Sequence, residues 1–151
     1  MSNGKKKVAK KEARSDSSSE PRRCVLDPEG GPVTVRLEAD NLLRAVGAFA
    51  LYDATNQKRL SWKMAAGDEG IADKELEGIT PSSLKDNKLT LRLRCCSLSP
   101  QADKGRLAIQ IIQRGSARPL FPLAQWEIKE VPHCEGGQAV ELTDRLLFIL
   151  E

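Results

Sequence analysis

Apolar and polar residues alternate along most of the chain after residue 32. In VTVRLEA, residues 33–39, the residues Val33, Val35 and Leu37 share one side and the polar residues share the other. Successive side chains leave a β-strand on opposite faces, so this period of two predicts a strand with one buried face. The same pattern predicts strands over residues 46–54, 59–65, 88–96, 106–114, 125–131 and 139–150, the last of them either continuous or interrupted at 143–145.

Turn-forming segments separate these strands, among them DATNQK, SPQADKG and CEGGQ. Helical signals are limited to single turns around residues 40–46 and 80–86. Seven or eight short strands joined by turns are typical of an antiparallel β-sandwich, so we predict an all-β domain of immunoglobulin-like shape.

The segment LTLRLRCC, residues 89–96, illustrates the alternation. Its period of two places Cys95 on the buried face and Cys96 on the exposed face. The segment RLAIQII, residues 106–112, has the same pattern. We therefore expect these two strands to pair with each other across the connection between them, which is long for a hairpin.

Residues 1–31 differ in composition from the rest of the chain. They contain few branched apolar or aromatic residues, which predicts a disordered basic tail and hinge, with the β-sandwich domain over residues 32–151. Residues 1–23 hold eight Lys or Arg and three acids, a net charge of +5, whereas the whole chain is +3 and the remainder is −2. The basic character of the chain therefore describes the tail rather than the domain.

The tail includes a run of lysines that could contact anions: Lys5, Lys6, Lys7, Lys10 and Lys11. Such a run is typical of a solubilising tail, of nonspecific nucleic-acid or anionic-surface binding, and of a receptor-read localisation signal. The N-terminus lacks the apolar stretch of a standard secretory signal, and no window is apolar enough to span a membrane. We expect a cytoplasmic protein with mostly reduced cysteines, and export by another route stays open.

Two outward arginines of the predicted strand over residues 88–96, Arg92 and Arg94, could form a basic strip with Arg106 or Arg114. Such a strip would bind phosphate or an acidic partner. The alternative is an ordinary sheet surface, on which arginines cover apolar area and pair with acids of the next strand.

Candidate chemistry for catalysis or metal binding is sparse. One histidine, His133, precedes Cys134, but adjacent side chains of an extended chain diverge and no C-x-x-C occurs. A zinc site needs about four convergent ligands, and a thiol nucleophile needs a positioned base. The acidic segment over residues 67–78 lacks the spacing of a helix-loop-helix calcium site, and indicates a solvated loop or polar strand face. We expect no cofactor, no metal and no catalytic residue.

A proline-flanked apolar segment, RPLFPLAQWEI, covers residues 118–128. Prolines cannot donate to a β-ladder, so the segment should lie at a sheet edge or cross between sheets. Its large residues would then either cap the core or form an exposed patch that docks a protein partner. The candidate partner-binding residues are Leu120, Phe121, Leu123 and Trp126.

These features favour a non-catalytic protein-interaction module that binds a partner through an edge or loop surface. The alternative is a nucleic-acid-associated accessory protein that uses the basic tail. A weaker alternative is a thiol- or metal-dependent enzyme.

Overall fold

The computed structural model describes residues 21–40, 42–66, 70–99, 104–114 and 122–150, and these residues are nearly all β. The strands are β1 (Arg22–Leu26), β2 (Val33–Ala39), β3 (Leu43–Tyr52), β4 (Lys58–Ala66), β5 (Ile71–Glu75), β6 (Lys88–Ser97), β7 (Gly105–Gln113), β8 (Pro122–Ile128) and β9 (Val140–Leu150). Two single-turn 3-10 helices cover Pro81–Leu84 and Cys134–Gly136.

The strands form two sheets. The five-stranded sheet has the order β1-β9-β6-β3-β4, and the four-stranded sheet has the order β5-β2-β7-β8. All pairings are antiparallel except that of β1 with β9. The predicted all-β sandwich is confirmed, with nine strands in the described residues rather than seven or eight.

The core lies between the two sheets and follows the predicted alternation. Val33, Val35 and Leu37 of β2 are fully buried, as are Leu89 and Leu93 of β6. These side chains belong to one continuous cluster of buried residues. Period two therefore identified the inner faces of these strands correctly.

The pairing predicted between residues 89–96 and 106–112 is wrong. β6 pairs with β3 and β9, whereas β7 pairs with β2 and β8. The connection after β6 carries the chain from one sheet to the other, which explains its length. Alternation gives the buried face of each strand but carries no information about its neighbour.

The predicted start of the domain at residue 32 is too late. Arg22–Leu26 form β1, which pairs with β9 so that Cys24 lies opposite Phe148. Cys24 and Leu26 are buried, and the strand is therefore part of the sandwich. A five-residue strand beside basic residues falls below the length that alternation detects. Residues 1–20 of the predicted tail, with the five lysines, lie outside the described residues.

Some of the remaining local predictions agree with the structure and others do not. The turn around residues 80–86 is confirmed as the 3-10 helix Pro81–Leu84, which begins after Thr80, whose hydroxyl accepts a hydrogen bond from Ser83 N at 3.3 Å. In the segment 40–46, a turn is present only at the start, where Leu43 N donates to Asp40 O at 2.9 Å, because β3 begins at Leu43. β9 is continuous through 143–145. Within the described ranges, no helix has the length and apolar content needed to cross a membrane.

Candidate functional site

The outer face of the five-stranded sheet is strongly basic. Inward residues such as Phe49 and Leu93 fill the core, so their chain neighbours point to solvent. In the described strands, these outward positions hold one acidic residue, Glu141 of β9. We call this surface the basic face, and its outward cations include Arg23, Arg44, Lys63, Lys88, Arg92, Arg94 and Arg145.

Most of these cations have no carboxylate partner among the residues with a described position. Arg94 Nε lies 3.4 Å from Glu141 Oε2, an exposed pair on adjacent strands. Five of the other cations have no carboxylate within 4.0 Å among the residues that the structure describes. Uncompensated like charges on one sheet produce a positive potential at its surface. These five are Arg23, Arg44, Lys63, Lys88 and Arg92.

Each outward residue of β3 faces an outward residue of β6 across the ladder, and we call each such pair a row. Outward residues recur at every second position, about 7 Å apart along a strand. The rows from one end of the sheet to the other are Arg44 with Cys96, Val46 with Arg94, Ala48 with Arg92, Ala50 with Thr90, and Tyr52 with Lys88.

A shallow groove of about 520 Å³ crosses the middle of the basic face. Ala48 and Ala50 form part of its lining, and their small side chains leave the space open. Arg92 and Lys58 contribute positive charge, and Thr143 contributes a hydroxyl group. Asp144 also lines the groove, but its carboxylate is 2 % exposed and accepts a hydrogen bond from Arg22. The groove is suited to an oxyanion, because hydrogen-bond donors and cations surround a small-residue floor.

The outer face of the four-stranded sheet is different. Arg36 Nε and Nη2 donate to the Asp73 carboxylate at 2.7 and 3.0 Å, and this contact lowers the pKa of Asp73. Arg106 Nη2 lies 3.8 Å from Glu127 Oε2. The arginines of this sheet are therefore compensated, whereas those of the basic face are mostly not.

The structure brings together only two arginines of the predicted basic strip. Arg92 and Arg94 do lie on one exposed surface, but Arg106 is on β7 of the other sheet and Arg114 directly follows that strand. These arginines do not form one strip, because β6 and β7 lie in different sheets. The basic face instead includes Arg44 and Lys63, which lie on β3 and β4 and were not among the predicted residues. Their outward position in the alternation was the available signal, and grouping them required the sheet topology.

Of the four predicted partner-binding residues, Trp126 is the one whose side chain the structure describes. Trp126 is 5 % exposed, on an inward position of β8 opposite Leu107, so its predicted role as an exposed anchor is wrong. Alternation across β8 buries it, because Gln125 and Glu127 take the outward positions. β8 is an edge strand, which is one of the two positions that the prolines of this segment predicted. Leu120 and Phe121 lie outside the described residues, as does the side chain of Leu123.

The cysteines differ from the expectation of mostly reduced thiols. Cys96 is joined to Cys134 by a disulfide that anchors the 3-10 helix Cys134–Gly136 to the end of β6. Cys95 is buried and Cys96 is not, as the alternation predicted. Burial raises the pKa of the Cys24 and Cys95 thiols to about 12. The sulfur atoms of Cys96 and Cys134 are therefore held in a covalent bond and are not free thiols.

The other candidate for chemistry, His133, lies with its Nδ1 atom 4.0 Å from Glu135 Oε1. Within the described part of the chain, no group of three or more His, Cys, Asp or Glu side chains is arranged to hold a metal ion.

Comparison with models of known protein families, with curated proteins and with solved structures finds no match to this chain.

Proposed function

We propose that the protein is a non-catalytic interaction module that binds an acidic segment of a protein partner on its basic face. The observation that carries this function is the set of five outward cations with no carboxylate within 4.0 Å among the described residues. The binding surface is then the basic face rather than the segment around Trp126.

The magnitude of exposed ion pairs limits the kind of complex that forms. Each such pair contributes about 0.2 to 1 kcal/mol, so one arginine alone confers little affinity. Several pairs acting together reach a few kcal/mol, and they accelerate association by attracting an oppositely charged partner. Binding should therefore be moderate and should weaken as salt screens the charges.

The scarcity of outward aromatic residues on the described strands favours a protein partner over single-stranded nucleic acid. Proteins that bind single strands stack bases on exposed aromatic rings. The outward positions of the described strands of the five-stranded sheet offer only Tyr52, because Phe49 and Trp62 are inward and stack on each other with centroids 5.3 Å apart. Nucleic-acid association through the tail stays the alternative.

Titration of the full chain with a fluorescent twelve-residue poly-glutamate peptide tests the proposal. We expect the Arg92→Gln/Lys63→Gln variant to bind about 3- to 10-fold more weakly at low salt than the wild-type chain, since two ion pairs are lost. The matched control is Arg106→Gln, which removes a cation from the opposite sheet and should change the affinity by less than about twofold.

Two outcomes would overturn the proposal. The first is equal weakening by the control and the double variant, which would mean that net charge alone governs binding. The second is a chain that does not bind the peptide but binds a DNA duplex with an affinity that falls when residues 1–20 are deleted, which would support the nucleic-acid alternative.

A further inference from the structure

An exposed apolar row closes one end of the basic face. Leu42 and Leu98 extend the rows of β3 and β6 by one, and Leu98 N donates a hydrogen bond to Leu42 O at 2.8 Å. Their side chains are 50 % and 39 % exposed. We call this pair the apolar row. Val46, two rows along β3, is another exposed large apolar residue of the same face.

The chain holds the apolar row in a defined position relative to the cations. The adjacent row contains Arg44 and Cys96, and the disulfide from Cys96 to Cys134 anchors the neighbouring 3-10 helix there. With about 7 Å between rows, Arg44 lies one row from Leu42, the row of Arg92 lies roughly 20 Å away, and that of Lys88 roughly 34 Å away. An extended peptide has the same repeat, because its alternate side chains are also about 7 Å apart.

On the basis of the proposed function, we infer that the partner segment is extended and carries a large apolar residue at one end, followed by carboxylates at the spacing of the cations. The apolar side chain would lie against Leu42 and Leu98. Carboxylates two, six and ten residues further along would then reach Arg44, Arg92 and Lys88.

Charge complementarity selects this occupant. Apolar contact at the row removes exposed hydrocarbon from water, and the carboxylates meet cations that lack acidic neighbours within the described residues. The chain's own residues 1–20 are a poor occupant, because they contain six Lys or Arg against three acids. An acidic, singly apolar segment of another protein has the opposite sign throughout.

Two synthetic peptides test the inference on the full chain. The first has Leu at one end, Glu at the second, sixth and tenth following positions, and Ser elsewhere; the second replaces its Leu by Ser. Both are also made with the reversed sequence, because an extended segment can run in either direction along β3. We expect the Leu peptide, in one direction, to bind about 3- to 10-fold more tightly than its Ser counterpart.

Variants then locate the contact. Leu42→Ser and Leu98→Ser should remove the preference for the Leu peptide while leaving the salt dependence of binding unchanged, since they alter no charge. The matched control is Ile71→Ser, which changes an exposed apolar residue of the four-stranded sheet. Circular dichroism of each variant confirms that the sandwich is folded.

The outcomes separate the two proposals. Equal affinity for the Leu and Ser peptides, with both weakened by Arg92→Gln, would overturn the apolar contact and leave the basic face as the binding surface. Failure of every acidic peptide to bind would overturn both. Concentration-dependent dimerisation that Leu98→Ser abolishes would instead assign the apolar row to contact with a second copy of the chain, and would also overturn the inference.

Discussion

Arg22 Nε donates a hydrogen bond to Asp144 Oδ2 at 2.6 Å, which joins strand β1 to strand β9. Asp144 takes an inward position of β9, between the buried residues Leu142 and Leu146. A carboxylate at such a position is tolerated when it is hydrogen-bonded and paired. The guanidinium that satisfies it comes from a segment whose composition had indicated a tail.

Removing the arginine should therefore destabilise the fold. We expect Arg22→Met to lower the free energy of unfolding by roughly 2 to 3 kcal/mol, because Asp144 loses a charged hydrogen-bond donor. The double variant Arg22→Met/Asp144→Leu should recover part of this loss, since no buried charge is left unpaired. Urea unfolding measures both, and Arg23→Met, an outward neighbour, is the control. Equal midpoints for the Arg22 and Arg23 variants would contradict the structural role of the pair.

Two truncations test the corrected start of the domain. Deleting residues 1–20 should leave the melting temperature nearly unchanged, as the predicted disorder of that segment implies. Deleting residues 1–31 should lower it strongly, because β1 is lost, Cys24 and Leu26 no longer fill the core, and an edge of β9 is exposed. Thermal melts monitored by circular dichroism compare the two. A domain that starts at residue 32 and melts like the full chain would show that β1 is dispensable.

The missed β1 shows where alternation stops being informative. Its inward residues are Cys24 and Leu26, and two apolar positions in a five-residue strand cannot establish a period. The β5 strand is missed for a related reason: Ile71, Asp73 and Glu75 are all exposed on an edge strand, so its sequence looks like a solvated loop. Longer strands with several buried positions, such as β6 with five, are predictable because each pair of residues repeats the same contrast.

The basic face was only partly predictable for a topological reason. Alternation correctly placed Arg92 and Arg94 outward. Leu91, which precedes Arg92, and Leu93, which lies between the two arginines, are both buried. Whether Arg44 and Lys63 share that surface depends on β3 pairing with both β4 and β6. Strand order is decided by packing between distant segments, which no local pattern records. Net charge was misleading too, because the outward acids lie mainly on the four-stranded sheet, where they pair with Arg36 and Arg106, whereas Glu141 is the one outward acid of the described strands of the five-stranded sheet.

The two free thiols predict how stability changes at high pH. Burial raises the pKa of Cys24 and Cys95 from 9.0 to about 12, so the folded chain holds these protons where the unfolded chain releases them. Their contribution to stability is fully present below about pH 9 and is lost as the pH rises toward 12. We expect the urea midpoint of the Cys24→Ala/Cys95→Ala variant to fall less between pH 9 and 11 than that of the wild-type chain.

A thiol-labelling experiment provides the control for this pH effect. Native protein should react slowly with a soluble maleimide at pH 8, because both free thiols are buried and protonated. Reduction should then expose the sulfur atoms of Cys96 and Cys134 to rapid labelling. Fast labelling of Cys95 before reduction would mean that the register of β6 is shifted by one residue, since such a shift exchanges its two faces.

Variants of Trp126 test whether the apolar segment has a structural role or a binding role. Because the side chain is buried opposite Leu107, Trp126→Ala should cost about 3 to 5 kcal/mol of unfolding free energy. Trp126→Phe should cost less, partly because the indole Nε1 is buried with no hydrogen-bond partner among the described residues, and its removal relieves an unsatisfied donor.

Binding measured on the same variants completes the test. The folded fraction of each Trp126 variant should bind the acidic peptide with wild-type affinity, since the residue faces away from the basic face. Unfolding curves give the folded fraction, and titrations with poly-glutamate give the affinity. A Trp126→Ala chain that keeps its stability but loses binding would restore the segment as the partner surface and would remove the basic face from that role.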